Sequence, residues 1–317
     1  MLARWLKSIV FAGGLVIAGW LGWCAWQGWG LGLAFGPVLA LLGLNALALG
    51  VEQVLAARVH GQDPVPPPGP ARRVQAWWRE AVASGRAFGW SMPFASQRWP
   101  DVLGAREQGG RGVLLVHGYL CNRGFWNRWY PRLQAQGIPF VSVSLEPVFG
   151  SIDGYADQLD AALVQLQRAT GQAPLVVCHS MGGLVLRAWR QTRLQRGEPA
   201  EATDARIHHV LTIGTPHRGT WLARFGRQVN AVQMRRDSLW LQTLSASESP
   251  AWRARFTCVW SDCDNVVFPP CCGLLEGAAS LHRPGRGHQE LLDDPVVFAL
   301  ALSLRSGAGS TTGAGER

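Results

Sequence analysis

The chain has 317 residues, 48% of them apolar, a formal net charge of +9 and seven cysteines. An odd cysteine count with a vicinal Cys271-Cys272 pair excludes a secreted disulfide framework, although one bridge from Cys263 to Cys271 or Cys272 stays open. No nucleic-acid-binding motif accompanies the basic charge, which is nearly all arginine (Lys7 is the single lysine) and suits a surface of anionic lipid headgroups.

In chain order, the first feature is a pair of uncharged apolar runs, Ser8 to Trp26 and Leu31 to Val51. Each approaches the ~20 residues needed to cross a hydrocarbon core. They predict a two-helix transmembrane hairpin over 1–60, with Trp5 near one interface and Trp20, Trp23, Trp26 and Trp29 near the other. Arg4 and Lys7 precede the first run, Arg58, Arg72 and Arg73 follow the second, and the connection between them has no charge. The positive-inside rule then puts both ends in the cytoplasm, at a bacterial inner membrane. A single signal-anchor span and a cleaved signal remain alternatives, but no small-x-small cleavage site precedes the second run.

Residues 61–73 contain five prolines and predict a stiff extended linker. A folded domain is expected over 74–305, long enough for one sizeable core, followed by a disordered Gly/Ser/Thr-rich tail, 306–317. Apolar runs predict strands near 113–117, 139–145, 174–179, 207–214 and 256–262. Helices are expected near 124–136, 152–169 and 182–196. That alternation predicts an α/β fold, a mostly parallel sheet with helices on both faces.

Within this frame, Cys178-His179-Ser180-Met181-Gly182-Gly183 follows an apolar strand and opens a helix. A serine on such a tight turn is lifted clear of the backbone, and small residues at 182 and 183 allow close helix–strand approach. Cys178 stands where the usual pattern has a glycine. Three other segments carry chemistry: Val116-His117-Gly118-Tyr119 after the first strand, Asp262-Cys263-Asp264 after the last predicted one, and Gly287-His288 before the final helix. A serine hydroxyl needs a base, and a histidine serves if a carboxylate fixes its tautomer. Either Asp262 or Asp264 could be that carboxylate. His288 is preferred over His282, whose Ala279-Ser280-Leu281-His282 context suits a strand end. His117 and His179 flank the site as supports, His217 lies in a turn, and His208-His209 start a strand. No metal-ligand spacing is present.

These segments, together with Ile213-Gly214-Thr215-Pro216-His217-Arg218-Gly219-Thr220, resemble the α/β-hydrolase superfamily over about residues 110–300, close to the bacterial triacylglycerol lipase branch. The resemblance implies an α/β-hydrolase fold and a serine lipase or esterase with a Ser-Asp-His order. It implies Ser180 as nucleophile, His288 as base, and Asp264 as the acid, because Asp264-Asn265-Val266-Val267 matches the family's Asp-x-Val-Val; Asp262 would cap its turn. The oxyanion donors would be the N–H groups of Tyr119 and Met181. The implied activity is cleavage of lipid or small esters by a membrane-anchored enzyme without a cofactor. An acyltransferase or thioesterase would use the same triad, and a non-catalytic membrane scaffold is the alternative of another class. Oligomeric state is left open. In lipases a lid is inserted where Thr220 to Leu244 lies. Here an amphipathic helix is expected, with Trp221, Leu222, Phe225, Val229, Val232 and Met234 on its apolar face, as a lid or as an ordinary surface helix.

Overall fold

The computed structural model describes residues 1–104 and 110–307. Residues 308–317, most of the expected tail, lie outside the described residues. Six strands, β1 (Val113–Val116), β2 (Phe140–Ser142), β3 (Leu175–His179), β4 (His209–Ile213), β5 (Phe256–Trp260) and β6 (Ala279–His282), form one sheet in the order β2-β1-β3-β4-β5-β6. Every pairing is parallel. Strands β1, β2, β3 and β5 are buried along their whole length, as continuous apolar runs are when helices cover both faces.

Alternate residues of each strand feed two different cores. Leu114, Val116, Val176 and Cys178 pack with Leu159, Leu163 and Leu166 of helix Ala156–Thr170 and with Leu184 and Trp189 of helix Met181–Gln195. Val113, Leu115, Leu175 and Val177 pack with Trp126, Trp129 and Phe298 on the other face. Phe298 belongs to the C-terminal helix Pro295–Ser306.

The two N-terminal helices, α1 (Leu2–Trp26) and α2 (Leu31–Arg58), are long and apolar enough to cross a membrane by length and composition. A turn with Gly28 at φ 68° joins them, and Trp20 Nε1 donates to Ala34 O at 2.9 Å. A third helix, α3 (Pro70–Arg86), starts inside the proline-rich segment, with Pro70 at its first turn, where a missing N–H costs nothing. Trp77 of α3 donates to Ala46 O of α2 at 2.6 Å, and Gln53 of α2 donates to Cys263 O at 2.8 Å. The hairpin is thereby fastened to the sheet domain at its base.

Two helical expectations change. The segment near 124–136 is split into a short turn, Arg123–Trp126, and a helix, Tyr130–Ala135. Asn122 caps the turn by accepting from Gly124 N–H, and a Cβ at Gly124 would lie 2.5 Å from Ser91 O. The amphipathic stretch 220–244 is no single helix either. It forms Trp221–Phe225, Val229–Gln233 and the start of Leu239–Ala246. Gly226 interrupts it where a Cβ would meet Ala231 Cβ at 2.4 Å, and Asp237 turns the chain at φ 55°. All seven cysteines are free thiols.

Candidate active site

Ser180 stands between β3 and helix Met181–Gln195 at φ 53°, ψ −127°. A residue with a Cβ rarely adopts positive φ, so the surroundings must hold it there. Ser180 N–H donates to Ile213 O at 2.9 Å, and Ser180 O accepts from Thr215 Oγ1 at 2.8 Å. A Cβ at Gly182 would lie 2.5 Å from Val116 O, and one at Gly183 would lie 2.5 Å from Thr215 Oγ1. Glycine is therefore required at both places. Cys178 is an ordinary buried residue of β3, so the turn survives its substitution for glycine.

The turn after β1 presses on the serine from the other side. A Cβ at Gly118 would lie 2.7 Å from Ser180 Cβ. Buried His117 fixes this turn: Nδ1–H donates to Gly118 O at 2.9 Å and Nε2 accepts from Leu145 N–H at 3.0 Å. Burial pulls its pKa down to about 4, so the ring is neutral. Among the described residues, the N–H groups of Tyr119 and Met181 have no hydrogen-bond acceptor. They are two donors left free beside Ser180.

Asp264 and His288 meet from separate loops. Asp264 Oδ2 accepts from His288 Nδ1–H at 2.9 Å, while Oδ1 accepts from Val266 N–H and Val267 N–H at 2.8 Å each. A carboxylate only accepts, so Nδ1 carries the proton and Nε2 keeps its lone pair. Gly214, at φ 57°, leaves room for the pair: a Cβ there would lie 3.1 Å from both Asp264 Oδ2 and His288 Nδ1. Burial opposes the imidazolium of His288. The charge and hydrogen bond of Asp264, then the charges of Glu80 and Glu52, outweigh it and hold the pKa above 6.5.

The backbone of His288 is held at both ends. Its N–H donates to Asn265 Oδ1 at 3.2 Å, and its carbonyl accepts from His179 Nε2–H at 3.1 Å. Glu80 of α3 accepts from Gln289 N–H and Glu290 N–H at 2.9–3.0 Å. Asn265 Nδ2 in turn donates to Glu52 of α2 at 2.6 Å. Sequence reasoning missed Glu80, Glu52 and Asn265. Only the lone carboxylate in a long apolar helix marked Glu52 as unusual.

Ser180 and His288 line one cavity of about 320 Å³. No hydrogen bond joins Ser180 Oγ to His288 among the described residues, a looseness common in sites without substrate. On its other side Ser180 borders a second cavity of about 160 Å³, walled by Leu222, Ala223, Ala231, Met234, Val266 and Val267.

The remaining candidates lie elsewhere. Contrary to expectation, Asp262 does not cap the turn after its own strand. It accepts from Gly285 N–H at 2.6 Å and pairs with Arg72 at 3.5 Å, bracing the loop before His288. Ser261 Oγ caps that turn instead, accepting from Cys263 N–H at 3.1 Å. His282 stacks on Trp260, with ring centroids 4.2 Å apart. His217 is buried against Thr212 Oγ1 at 3.0 Å, and His209 begins β4. Among the described residues no group of three or more His, Cys, Asp or Glu could hold a metal ion.

A parallel sheet with a strained serine after its third strand in spatial order, and an Asp–His pair at the same strand ends, defines the α/β-hydrolase class. The chain belongs to the alpha/beta hydrolase family, whose sequence model matches residues 113–306. A search of curated protein sequences found no match. Among solved structures, the mature lipase BlEst2 of Bacillus licheniformis is similar at 14% identity and TM-score 0.54, covering 63% of this chain and 95% of that one. Lipase B of Aspergillus fumigatus is similar at 17% identity and TM-score 0.53, covering 62% of this chain and 53% of that one. The likeness therefore spans about half of the Aspergillus lipase. Both likenesses concern the fold.

Proposed function

We propose that this protein is a membrane-anchored serine hydrolase that cleaves carboxylic esters of lipids. The observation that carries the reading is the His288–Asp264 hydrogen bond at 2.9 Å, facing the same cavity as the strained Ser180. His288 Nε2 takes the Ser180 proton as Oγ attacks the acyl carbonyl. The free N–H groups of Tyr119 and Met181 bind the oxyanion, the imidazolium gives its proton to the leaving alcohol, and water activated by His288 releases the acid. The apolar cavity beside Ser180 suits an acyl chain. The hairpin anchors the domain. Arg4, Lys7 and Arg58 flank its base, which favours the cytoplasmic side of a bacterial inner membrane.

The test is hydrolysis of p-nitrophenyl esters, from acetate to palmitate, by detergent-solubilised protein. Ser180→Ala is expected to lower kcat by about 10⁶-fold and Asp264→Asn by about 10⁴-fold, and Asp262→Asn by far less. Full activity in Ser180→Ala, or equal losses in the two Asp variants, would overturn the assignment.

A further inference from the structure

The wall of the catalytic cavity is partly made by an apolar N-terminal helix. Asn45, Ala48, Leu49 and Glu52 of α2 line the space that holds Ser180 and His288. Among the described residues lining it, only Asn45 and Ala48 are exposed. The mouth therefore opens on α2. Around it α2 presents Leu41, Leu42, Leu44, Leu47 and Val51, all exposed. Water is a poor solvent for such a rim, and lipid is a good one.

Helix geometry gives the depth of this mouth. Trp5 and Trp26 of α1 lie about 32 Å apart along the axis at 1.5 Å per residue, which matches a hydrocarbon layer of about 30 Å. Trp20, Trp23, Trp26 and Trp29 cluster at the tip, with Trp20–Trp29 and Trp23–Trp26 edge contacts. At the base, Trp78 and Trp90 are exposed near the domain. Two aromatic belts at that spacing mark two interfaces. The Trp20–Ala34 hydrogen bond fixes the register of the antiparallel pair and puts Leu49 level with Trp5. Asn45 and Ala48 then lie within about 6 Å of the base belt, on its hydrocarbon side.

We infer that the site takes its substrate sideways out of the bilayer: an acyl ester dissolved in the leaflet next to the domain enters past Asn45 and Ala48 of α2. This rests on the serine hydrolase reading and adds a route to it. The hairpin is then part of the entrance as well as an anchor. Exposed Leu41, Leu44, Leu47 and Val51 of α2 flank Asn45 at the mouth, so an acyl chain meets apolar surface on its way from lipid to the cavity.

The experiment uses the full chain in phosphatidylethanolamine/phosphatidylglycerol vesicles with two esters: p-nitrophenyl palmitate dissolved in the bilayer and p-nitrophenyl butyrate supplied from water. Ala48→Trp and Ala48→Phe narrow the mouth, and Leu47→Trp places the same bulk on an exposed position that does not line it. Narrowing is expected to lower the palmitate-to-butyrate rate ratio at least ten-fold, with Leu47→Trp matching the unmodified protein. A ratio unchanged in both Ala48 variants would overturn the route. So would a palmitate rate that does not fall when the ester is diluted with added phospholipid at fixed total concentration, which would mean a mouth open to water. Failure of the hydrolase reading would look different: no Ser180-dependent turnover of either ester by the unmodified protein.

Discussion

Glu80 carries the sharpest consequence at the scale of single residues. It is fully buried, it accepts from two backbone N–H groups next to His288, and burial raises its carboxyl to about 7. Its anion is one of the charges that hold the His288 pKa up. The proposed mechanism needs neutral His288, so its rate should rise with pH through that pKa. Glu80→Gln removes the charge and should move the acidic limb of the kcat/KM profile to lower pH; a limb that stays in place would refute this role. The stability sign is opposite to that of an ordinary carboxylate. Glu80 binds its proton more tightly in the folded protein, so its contribution is full below pH 4.5 and is lost as pH rises through about 7. Nothing in the sequence marked it, because a single glutamate on a helix rich in Arg and Trp reads as a solvated face. Ser180, Asp264 and His288 were legible as candidates because each follows a strand in a motif of fixed spacing. Asn265 was hidden inside one of those motifs.

Between elements, one deeply buried polar link is Arg187–Glu248. Arg187, on the helix that follows Ser180, donates Nε and Nη2 to Glu248 at 2.6 and 2.9 Å and Nη1 to His217 O at 2.9 Å, and both side chains are almost wholly buried. It ties that helix to the 215–219 turn and to the segment after Leu239–Ala246. Glu248→Ala would strand a buried guanidinium and should cost about 3–5 kcal/mol, readable as a lower unfolding midpoint in detergent. Asp157→Ala, which removes an exposed ion pair with Arg196, should leave that midpoint essentially where it is. The strands were legible for a related reason. Runs such as Val113–Val116 are apolar at every position, which only a sheet covered on both faces tolerates. The 220–244 stretch misled because its apolar residues keep helical spacing, while the close approach of Gly226 to Ala231 and the left-handed Asp237 break it into short pieces.

For the whole molecule, the arrangement of charge and apolar surface sets how it is held. The net charge is +9, and the exposed faces of α1 and α2 are apolar over most of their length. Charge attraction to anionic lipid fades with salt, whereas burial of two apolar helices does not. Protein reconstituted in vesicles should therefore stay with them through 1 M salt and alkaline carbonate; release by salt alone would mean a surface-bound protein.

The contacts around His288 also bear on synthesis. Gln53 bonds Cys263, Glu52 bonds Asn265 and Glu80 bonds Gln289, across separations of 210, 213 and 209 residues. Pairings so distant in sequence pay their loop-closure entropy late. Helices α2 and α3 are made long before the loops they bind. In the proposed mechanism Ser180 is likewise made ahead of both its partners, so it can act only after Asp264 and His288 have followed it into the fold.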